Sequence, residues 1–390
     1  MGEIVDSLTS LREDGKGYSL SWDEVRDLQV AAMNERLQER AGMIKLVGLR
    51  ARDAGITQIA SRADVVPLLL PHTAYKSYPE SFLVEQKWDR LTRWLGTVYA
   101  HPIENVNLDD VADVDDWMAR LGDAGIVMSC SSGTTGKSAM LPSSQRDVEF
   151  FCADGVASFE WGSGVKAQQD HLIFGLSPIA QVPRNEAVGE ALRAAFGVAG
   201  RERFVYPVPP ITIGSITRMV ALRKAMADGT ARPGEIAEFE ETSAARQKAV
   251  DAAAGICAEA LIAARGEKLQ VMGMWATLFK VAEEVRARGY GAKDFRPDNS
   301  CYAAGGLKGA QLPPDYREYV YETFNLQPDR NFQMYSMQEI QTAMPRCQKG
   351  GRYHVPPWLV CLPLDKDGGA LVAGDGEGVV EGRAAFFALS

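Results

Sequence analysis

No run in this chain approaches the roughly 18 consecutive apolar residues that a membrane-spanning helix needs, so no span is expected. Basic charge is also in short supply: 42 Lys and Arg stand against 51 Asp and Glu, a net −9. A general nucleic-acid or anionic-membrane binder needs the opposite balance, because its affinity comes from counterion release onto a basic surface. An anionic ligand must therefore be held by a local site. Histidine is scarce, with four in the chain, and neither His101 nor His171 has a Ser or Cys partner at suggestive spacing. A hydrolase triad thus has no support. The six cysteines lack the spacing of a disulfide framework. The acidic start Met1-Gly2-Glu3-Ile4-Val5-Asp6 lacks the apolar stretch of a secretion signal. Together these features predict a cytoplasmic protein with reduced, mostly buried thiols.

What is present is an ordinary globular composition, 46% hydrophobic and 24% charged over 390 residues, enough for a substantial core. Residues 1–20 are polar and read as a loosely held arm. Ser21-Trp22-Asp23-Glu24 has the pattern of a capping box opening a helix over 22–41, with Val25, Leu28, Ala32 and Leu37 inward. A second helix is expected over 43–53. Val65 to Pro71 is apolar but broken by two prolines, which predicts an extended or irregular segment. Helices are then expected at 88–98 and 110–121, and a buried strand at 125–128. Ala139 to Pro142 reads as a second short strand or a turn.

Helices and strands alternate after that. The spacing predicts helices at 145–162, 186–197, 214–227, 234–264 and 314–324, with a further one after Gly273 running to Arg288. Strands fall at 171–176, 203–206, 269–273 and 301–304. The long 234–264 helix would carry Phe239, Val250, Ile256 and Leu261 on its apolar side. Strands separated by helices imply parallel sheet covered on both faces, an α/β fold. From Trp358 the pattern changes to short strands with Gly-rich turns (358–362, 370–373, 384–389), as for a small antiparallel element.

The stretch with chemistry written in it is Ser129-Cys130-Ser131-Ser132-Gly133-Thr134-Thr135-Gly136-Lys137-Ser138. The hydroxyls of Ser131, Ser132, Thr134 and Thr135, with Gly133 and Gly136 between them, make a dense field of hydrogen-bond donors. Glycine lets the backbone turn tightly and aim successive N–H groups at one point. With Lys137 adjoining, this suits a polyphosphate. A Walker A loop is a poor reading, because its first glycine would fall at Ser131 and Pro142 lies where its helix would run. An ordinary Ser/Gly surface turn is the competing reading. Cys130 is expected to pack rather than react.

A second motif, Tyr335-Ser336-Met337-Gln338-Glu339, follows Asn331-Phe332-Gln333-Met334 at the end of a strand–helix–strand unit. Taken together, the two motifs resemble the adenylate-forming superfamily of acyl- and aryl-CoA ligases, which carries a Ser/Thr/Gly phosphate loop and later Tyr-Gly-x-Thr-Glu. Gly305-Gly306 stands where that family has the glycine pair lining the nucleotide pocket. Gly376-Glu377-Gly378 is similar to its Gly-Glu-x-Gly turn. Within the superfamily the chain looks like the branch of phenylacetate-CoA ligases and luminescence acyl-protein synthetases, whose segment upstream of the loop is similar to Pro67-Leu68-Leu69-Leu70-Pro71 with Lys76. The resemblance runs over residues 65–385.

The resemblance implies ATP-dependent activation of a carboxylic acid, with acyl transfer to a thiol, coenzyme A first among acceptors. A carrier-protein thiol or an amine is the alternative acceptor, and a non-catalytic nucleotide-binding homologue is the alternative of a different class. It further implies that Ser131, Ser132, Thr134 and Thr135, with the N–H groups of Gly133 and Gly136 and with Lys137, hold the β- and γ-phosphates. Glu339 would coordinate Mg²⁺, Tyr335 would stack on adenine, and Gly305 and Gly306 would let the backbone approach the base. Thr134, Lys137 and Glu339 are then the catalytic candidates, with Ser336 and Gln338 as further nucleotide contacts. An acyl pocket is expected between 269–280 and 302–307, with Met272, Met274, Trp275 and Leu307 as candidate lining or as plain core.

There are departures. Ser336 replaces the family's glycine, Gln338 its threonine, and Ala139 its loop-closing lysine. The expected layout is a helical preface at 1–63, then a nucleotide- and acyl-binding domain at 64–390, with the family's small C-terminal catalytic domain not among these residues. Cys347, His354 and Cys361, spaced C-x6-H-x6-C, give three potential zinc ligands of four, at a spacing that matches no standard structural zinc motif. A buried Cys and a satisfied His are the competing reading.

Overall fold

The chain opens with a helix where a loose arm is expected. Helix α1 (Glu3–Ser10) buries Val5 and Leu8, and the Glu35 carboxylate accepts from the amides of Ile4 and Val5 at 3.2 and 3.1 Å. Those amides are among the orphan donors of a helix start, so a carboxylate from a neighbouring helix fixes the arm. The computed structural model describes residues 2–71, 73–131, 137–178, 180–307, 309–372 and 378–390.

Helices α2 (Trp22–Arg40) and α3 (Lys45–Asp53) follow, and Glu24 accepts from the Ser21 amide at 2.7 Å as the capping box predicts. The inward face of α2 is Val25, Gln29, Ala32, Met33, Arg36 and Leu37. Leu28 lies off that face and is 46% exposed, which corrects the expected stripe. These helices pack on the main body. Val5, Leu8, Tyr18, Met33 and Leu37 share one core with Trp358, Val360, Leu362 and Leu389 near the other end of the chain. The proline-broken segment, expected to be extended or irregular, begins within a 3-10 helix over Arg62–Leu68, capped by Ser61 and Asp64, and turns extended at Leu69.

Helices α4 (Ser81–Val84), α5 (Trp88–Leu95) and α6 (Val114–Asp123) wrap an antiparallel pair, β1 (Ile126–Cys130) and β2 (Met140–Ser144). Trp88, Trp117, Leu121 and Met128 fill the space between them. Ser144 caps α7 (Gln145–Ser163).

The main sheet is parallel, four strands in the order β3 (Leu172–Gly175), β6 (Leu269–Gly273), β7 (Ser300–Ala303), β8 (Asn331–Phe332). Between β3 and β6 come β4 (Ala180–Gln181), α8 (Pro183–Phe196), β5 (Ile211–Thr212), α9 (Ile213–Ala227) and α10 (Pro233–Ala263). Helix α11 (Trp275–Ala287) links β6 to β7, and α12 (Tyr316–Phe324) links β7 to β8. Side chains alternate across each strand. Val271 and Cys301 face the layer of α10, α11 and α12, while Met272, Tyr302 and Phe332 face Phe159 of α7 and Phe196 of α8. Full burial of an aromatic such as Phe159, 0% exposed, contributes about 1.5–3 kcal/mol.

Two sequence expectations fail in this region. The strand expected at 203–206 is a single bridge from Phe204 to Phe174. On α10 the buried face is Ala253, Cys257, Ala258 and Leu261, while Val250 and Ile256 are 36% and 44% exposed. Small side chains let the helix lie close on the sheet layer, and the larger ones point away.

After β8 the chain makes a tight pair, β9 (Met334–Tyr335) and β10 (Met344–Pro345), then the antiparallel hairpin β11 (Leu359–Leu364) and β12 (Arg383–Ala388). Of the strand expected at 370–373, Leu371 makes a bridge to Leu364, and Ala373 lies outside the described residues. Among the described residues no helix is long and apolar enough to cross a membrane.

Candidate active site

The connection from β9 to β10, residues 336–343, carries Gln338 and Glu339 and is held from three sides. The Ser336 hydroxyl donates to the Thr342 carbonyl at 3.0 Å, closing the loop on itself. The Gln341 amide donates to Ser143 of β2 at 2.7 Å. The third hold is Asp154 of α7, 0% exposed, whose carboxylate accepts from the Thr342 hydroxyl at 2.8 Å and the Ala343 amide at 2.9 Å. The same carboxylate accepts from the Tyr18 hydroxyl at 2.6 Å, and Thr342 accepts from the Trp358 indole at 2.8 Å. Burial pushes the Asp154 carboxyl up to about 6, with its hydrogen bonds pulling the other way.

This loop meets the other motif. Ser129, at the end of β1 where the Ser/Thr/Gly loop begins, donates to Oε1 of Gln338, 209 residues further on. The two motifs that the sequence sets far apart therefore converge. Gln338 Oε1 also accepts from Nη2 of Arg184 at 2.8 Å. Arg184 stands in the first turn of α8, where Pro183 at the helix start fixes its entry. It is 1% exposed, with its guanidinium 5.0 Å from the centre of the Phe151 ring. Its Nε and Nη1 have no hydrogen-bond partner among the described residues. Burial lowers Arg184 to about 10, partly offset by the negative charge of Glu339.

Glu339 is half-buried and has no hydrogen-bond or ion-pair partner among the described residues. The phenol of Tyr75, next to Lys76, is raised first by burial and then by the Glu339 charge, so the segment after Pro71 borders the site as well. Ser131 belongs to the described part of the loop, and its hydroxyl accepts from the Ala139 amide at 2.8 Å across the loop mouth. Ser132, Gly133, Thr134, Thr135 and Gly136 lie outside the described residues, as do Gly376 and Glu377.

Lys137 is placed differently from what adjacency to the loop suggests. Its ammonium sits 4.1 Å from the centre of the Tyr78 ring and donates to the Tyr78 carbonyl. The Tyr78 hydroxyl in turn donates to the carbonyl of Ser138 at 2.8 Å. Lys137 tethers the returning limb of the loop. Cys130 packs against the sulfurs of Met118 and Met140 at 3.5 Å, and burial pushes its thiol up to about 12, so it packs and stays protonated.

The β8 register continues the site. Tyr302 of β7 pairs with Phe332 of β8 in parallel, and Gly305 and Tyr335 each follow three residues after that pair. Tyr335 is 45% exposed, with Tyr353 and Phe386 rings at 6.2 and 6.4 Å. Gly305 has φ +67°, a left-handed conformation, and Gly306 follows it with open space where a side chain would be. Both lie at the carboxyl ends of parallel strands, where ligands of open α/β sheets bind.

The four acyl-pocket candidates do not share one surface. Met272 packs with Phe159 and Phe332 on one side of the sheet. Trp275 is 2% exposed on the other side, edge-on to Tyr316 and Tyr321, and is core. Met274, whose amide donates to Ser177 at 2.7 Å, and Leu307 remain at the strand ends.

The zinc reading fails. His354 uses Nδ1 against the Tyr18 carbonyl at 2.7 Å, and Cys347 Sγ accepts from the Gly350 amide at 3.4 Å. Cys361 sits on β11, and no group of three or more metal-ligating side chains is found among the described residues.

Sequence reasoning missed Arg184 and Asp154. The Val182-Pro183-Arg184 helix start was visible in the sequence; that the guanidinium reaches Gln338 was not.

No protein-family model matches the chain, and no curated protein matches it. Among solved structures it is similar to 2-hydroxyisobutyryl-CoA ligase in the postadenylation state in complex with R3-HIB-AMP, with 13% identity and a TM-score of 0.50. That likeness covers 94% of this chain and 60% of the other. The same ligase in the postadenylation state with 2-HIB-AMP matches at 12% identity and a TM-score of 0.50, again over 94% and 60%. The chain thus spans less than two thirds of the length of these structures. The likeness is one of fold: the parallel sheet with its covering helices is arranged as in that ligase.

Proposed function

We propose that this protein activates a carboxylic acid with ATP as an acyl-adenylate and passes the acyl group to a thiol, coenzyme A first among acceptors. The reading rests on one junction: Ser129 at the root of the hydroxyl-rich loop, Gln338 and Arg184 meet beside Glu339. The residues fit the ligands. Two guanidinium nitrogens with no acceptor among the described residues suit a phosphate, and a carboxylate with no partner among those residues suits Mg²⁺, which takes one or two carboxylates alongside phosphate oxygens. Bound there, Mg²⁺ would neutralise phosphate charge.

In the first step a carboxylate oxygen bonds to the α-phosphorus while the bond to the bridging oxygen breaks, and pyrophosphate leaves with the electron pair. The protein's part is positioning and charge stabilisation. Ser131 with Ser132, Gly133, Thr134, Thr135 and Gly136 would receive the β- and γ-phosphates, Lys137 would hold that loop's returning limb, and Glu339 would hold the metal. Tyr335 would give adenine a flat apolar surface, with Gly305 and Gly306 allowing close approach of the backbone. Ser336 would set the loop's shape through its bond to Thr342. In the second step the thiol sulfur bonds to the acyl carbon, AMP departs with the carbon–oxygen electron pair, and the thiol proton goes to solvent. Met272, Met274 and Leu307 are the side chains we assign to the acyl side.

Carboxylate-dependent exchange of labelled pyrophosphate into ATP, run over a panel of aryl and fatty acids, tests the reading. Exchange with at least one acid supports it, and a thioester product with coenzyme A fixes the acceptor. The departures at Ser336 and Gln338 favour one second reading, a nucleotide binder without catalysis. Stabilisation by ATP with no exchange for any acid would select it.

A further inference from the structure

Arg184 is a buried guanidinium whose only hydrogen bond among the described residues is to Gln338, leaving Nε and Nη1 with nothing to receive them. An unpaired buried charge is expensive, and folded proteins keep one where a ligand completes it. Its position narrows the ligand. Adenosine, α-phosphate and the terminal phosphates lie in that order along a nucleotide. The protein offers Tyr335 at one end and Ser131, two residues past Ser129, at the other, and between them Gln338, bonded to both Ser129 and Arg184. The phosphate at the junction of nucleoside and tail is the α-phosphate.

On the reading of this site as nucleotide-binding, we propose that Arg184 grips the α-phosphate of the bound nucleotide and that Gln338 is the positioning residue that aims it. Gln338 does so through Oε1, which accepts from both Ser129 and Arg184 and fixes the guanidinium plane, with Nε and Nη1 lacking an acceptor among the described residues. The substitution that departs from the family pattern thereby acquires a purpose: a threonine at 338 could not span Ser129 and Arg184 together. Because the attacked phosphorus carries the oxygens so held, Arg184 also meets the charge that develops there during transfer.

The test is equilibrium binding of adenosine, AMP and ATP by calorimetry to the wild type and to Arg184→Gln, Arg184→Lys and Gln338→Leu. Arg184→Gln should lose roughly ten- to a hundredfold in affinity for AMP and ATP, the worth of a charge-assisted contact, with adenosine affinity unchanged. Arg184→Lys should fall between, and Gln338→Leu should lower AMP affinity without touching adenosine. The unfolding midpoint of Arg184→Gln should stand at or above that of the wild type, since an uncompensated charge leaves the interior. Equal losses for adenosine and AMP, or no loss for AMP, would overturn the proposal while leaving nucleotide binding intact. A wild type that binds none of the three would overturn the functional reading along with it.

Discussion

Two regions flank the hydroxyl-rich loop with a cation each, and they are built in opposite ways. On the returning limb, Lys137 is bound to the ring and carbonyl of Tyr78, so its charge secures the backbone. At the root, Arg184 is nearly sealed from solvent yet has donors with no protein acceptor among the described residues. Adjacency in sequence favoured Lys137; free hydrogen-bonding capacity favours Arg184. A cation's availability is decided by what its donors already touch, and a motif does not carry that information.

The contrast can be broken most sharply at the carboxylate facing the root. Glu339→Ala should lower pyrophosphate exchange on the order of 10²-fold or more if this side chain holds the metal, and exchange near the wild-type rate would remove the root region's claim to the chemistry. The next effect belongs to Asp154, which seats the loop carrying Glu339. Its folded value of about 6 lies above the ordinary 3.8, so the folded state binds this proton more tightly than the unfolded chain does. The group therefore favours folding below about pH 4, and that contribution is withdrawn as pH rises from about 4 to 6. Relative to Asp154→Asn, wild-type stability should fall by about 2–3 kcal/mol across that window, measured by urea unfolding; parallel curves would contradict the burial argument.

Lys137→Met should be milder. Losing the tether costs about 1–2 kcal/mol of stability and leaves nucleotide affinity within a few-fold of wild type, which direct binding would check. A large loss of ATP affinity with unchanged unfolding would reverse the comparison. Smallest of all, a zinc chelator should not move the thermal midpoint, because His354 and Cys347 already have other partners.

Much of the architecture was legible because single elements announce themselves. Leu269–Gly273 sets Leu269, Val271 and Met272 in a short stretch of the kind buried in parallel sheet, and Ser21 stands as a cap ahead of α2. The arm at 1–20 was misread because its order comes from Glu35, on another helix. The exposure of Val250 and Ile256 was missed because a helix rich in alanine offers more than one apolar face, and the sheet layer selects the one of smaller side chains. At the site, Gln338 and Glu339 were found by position, but their surroundings were not. Sequence pattern records periodicity and local chemistry, whereas Arg184 and Asp154 matter through contacts with residues far along the chain.

Asp154 gathers Tyr18, Thr342 and, through Thr342, Trp358 onto one carboxylate. During synthesis, then, the earliest helices emerge from the ribosome long before the residues that will lock against them. The seat for Glu339 closes only once Thr342 and Trp358 have joined Tyr18 and Asp154. A nascent chain arrested before Thr342 holds the residues of β1 and β2 but lacks the partners that Asp154 locks onto.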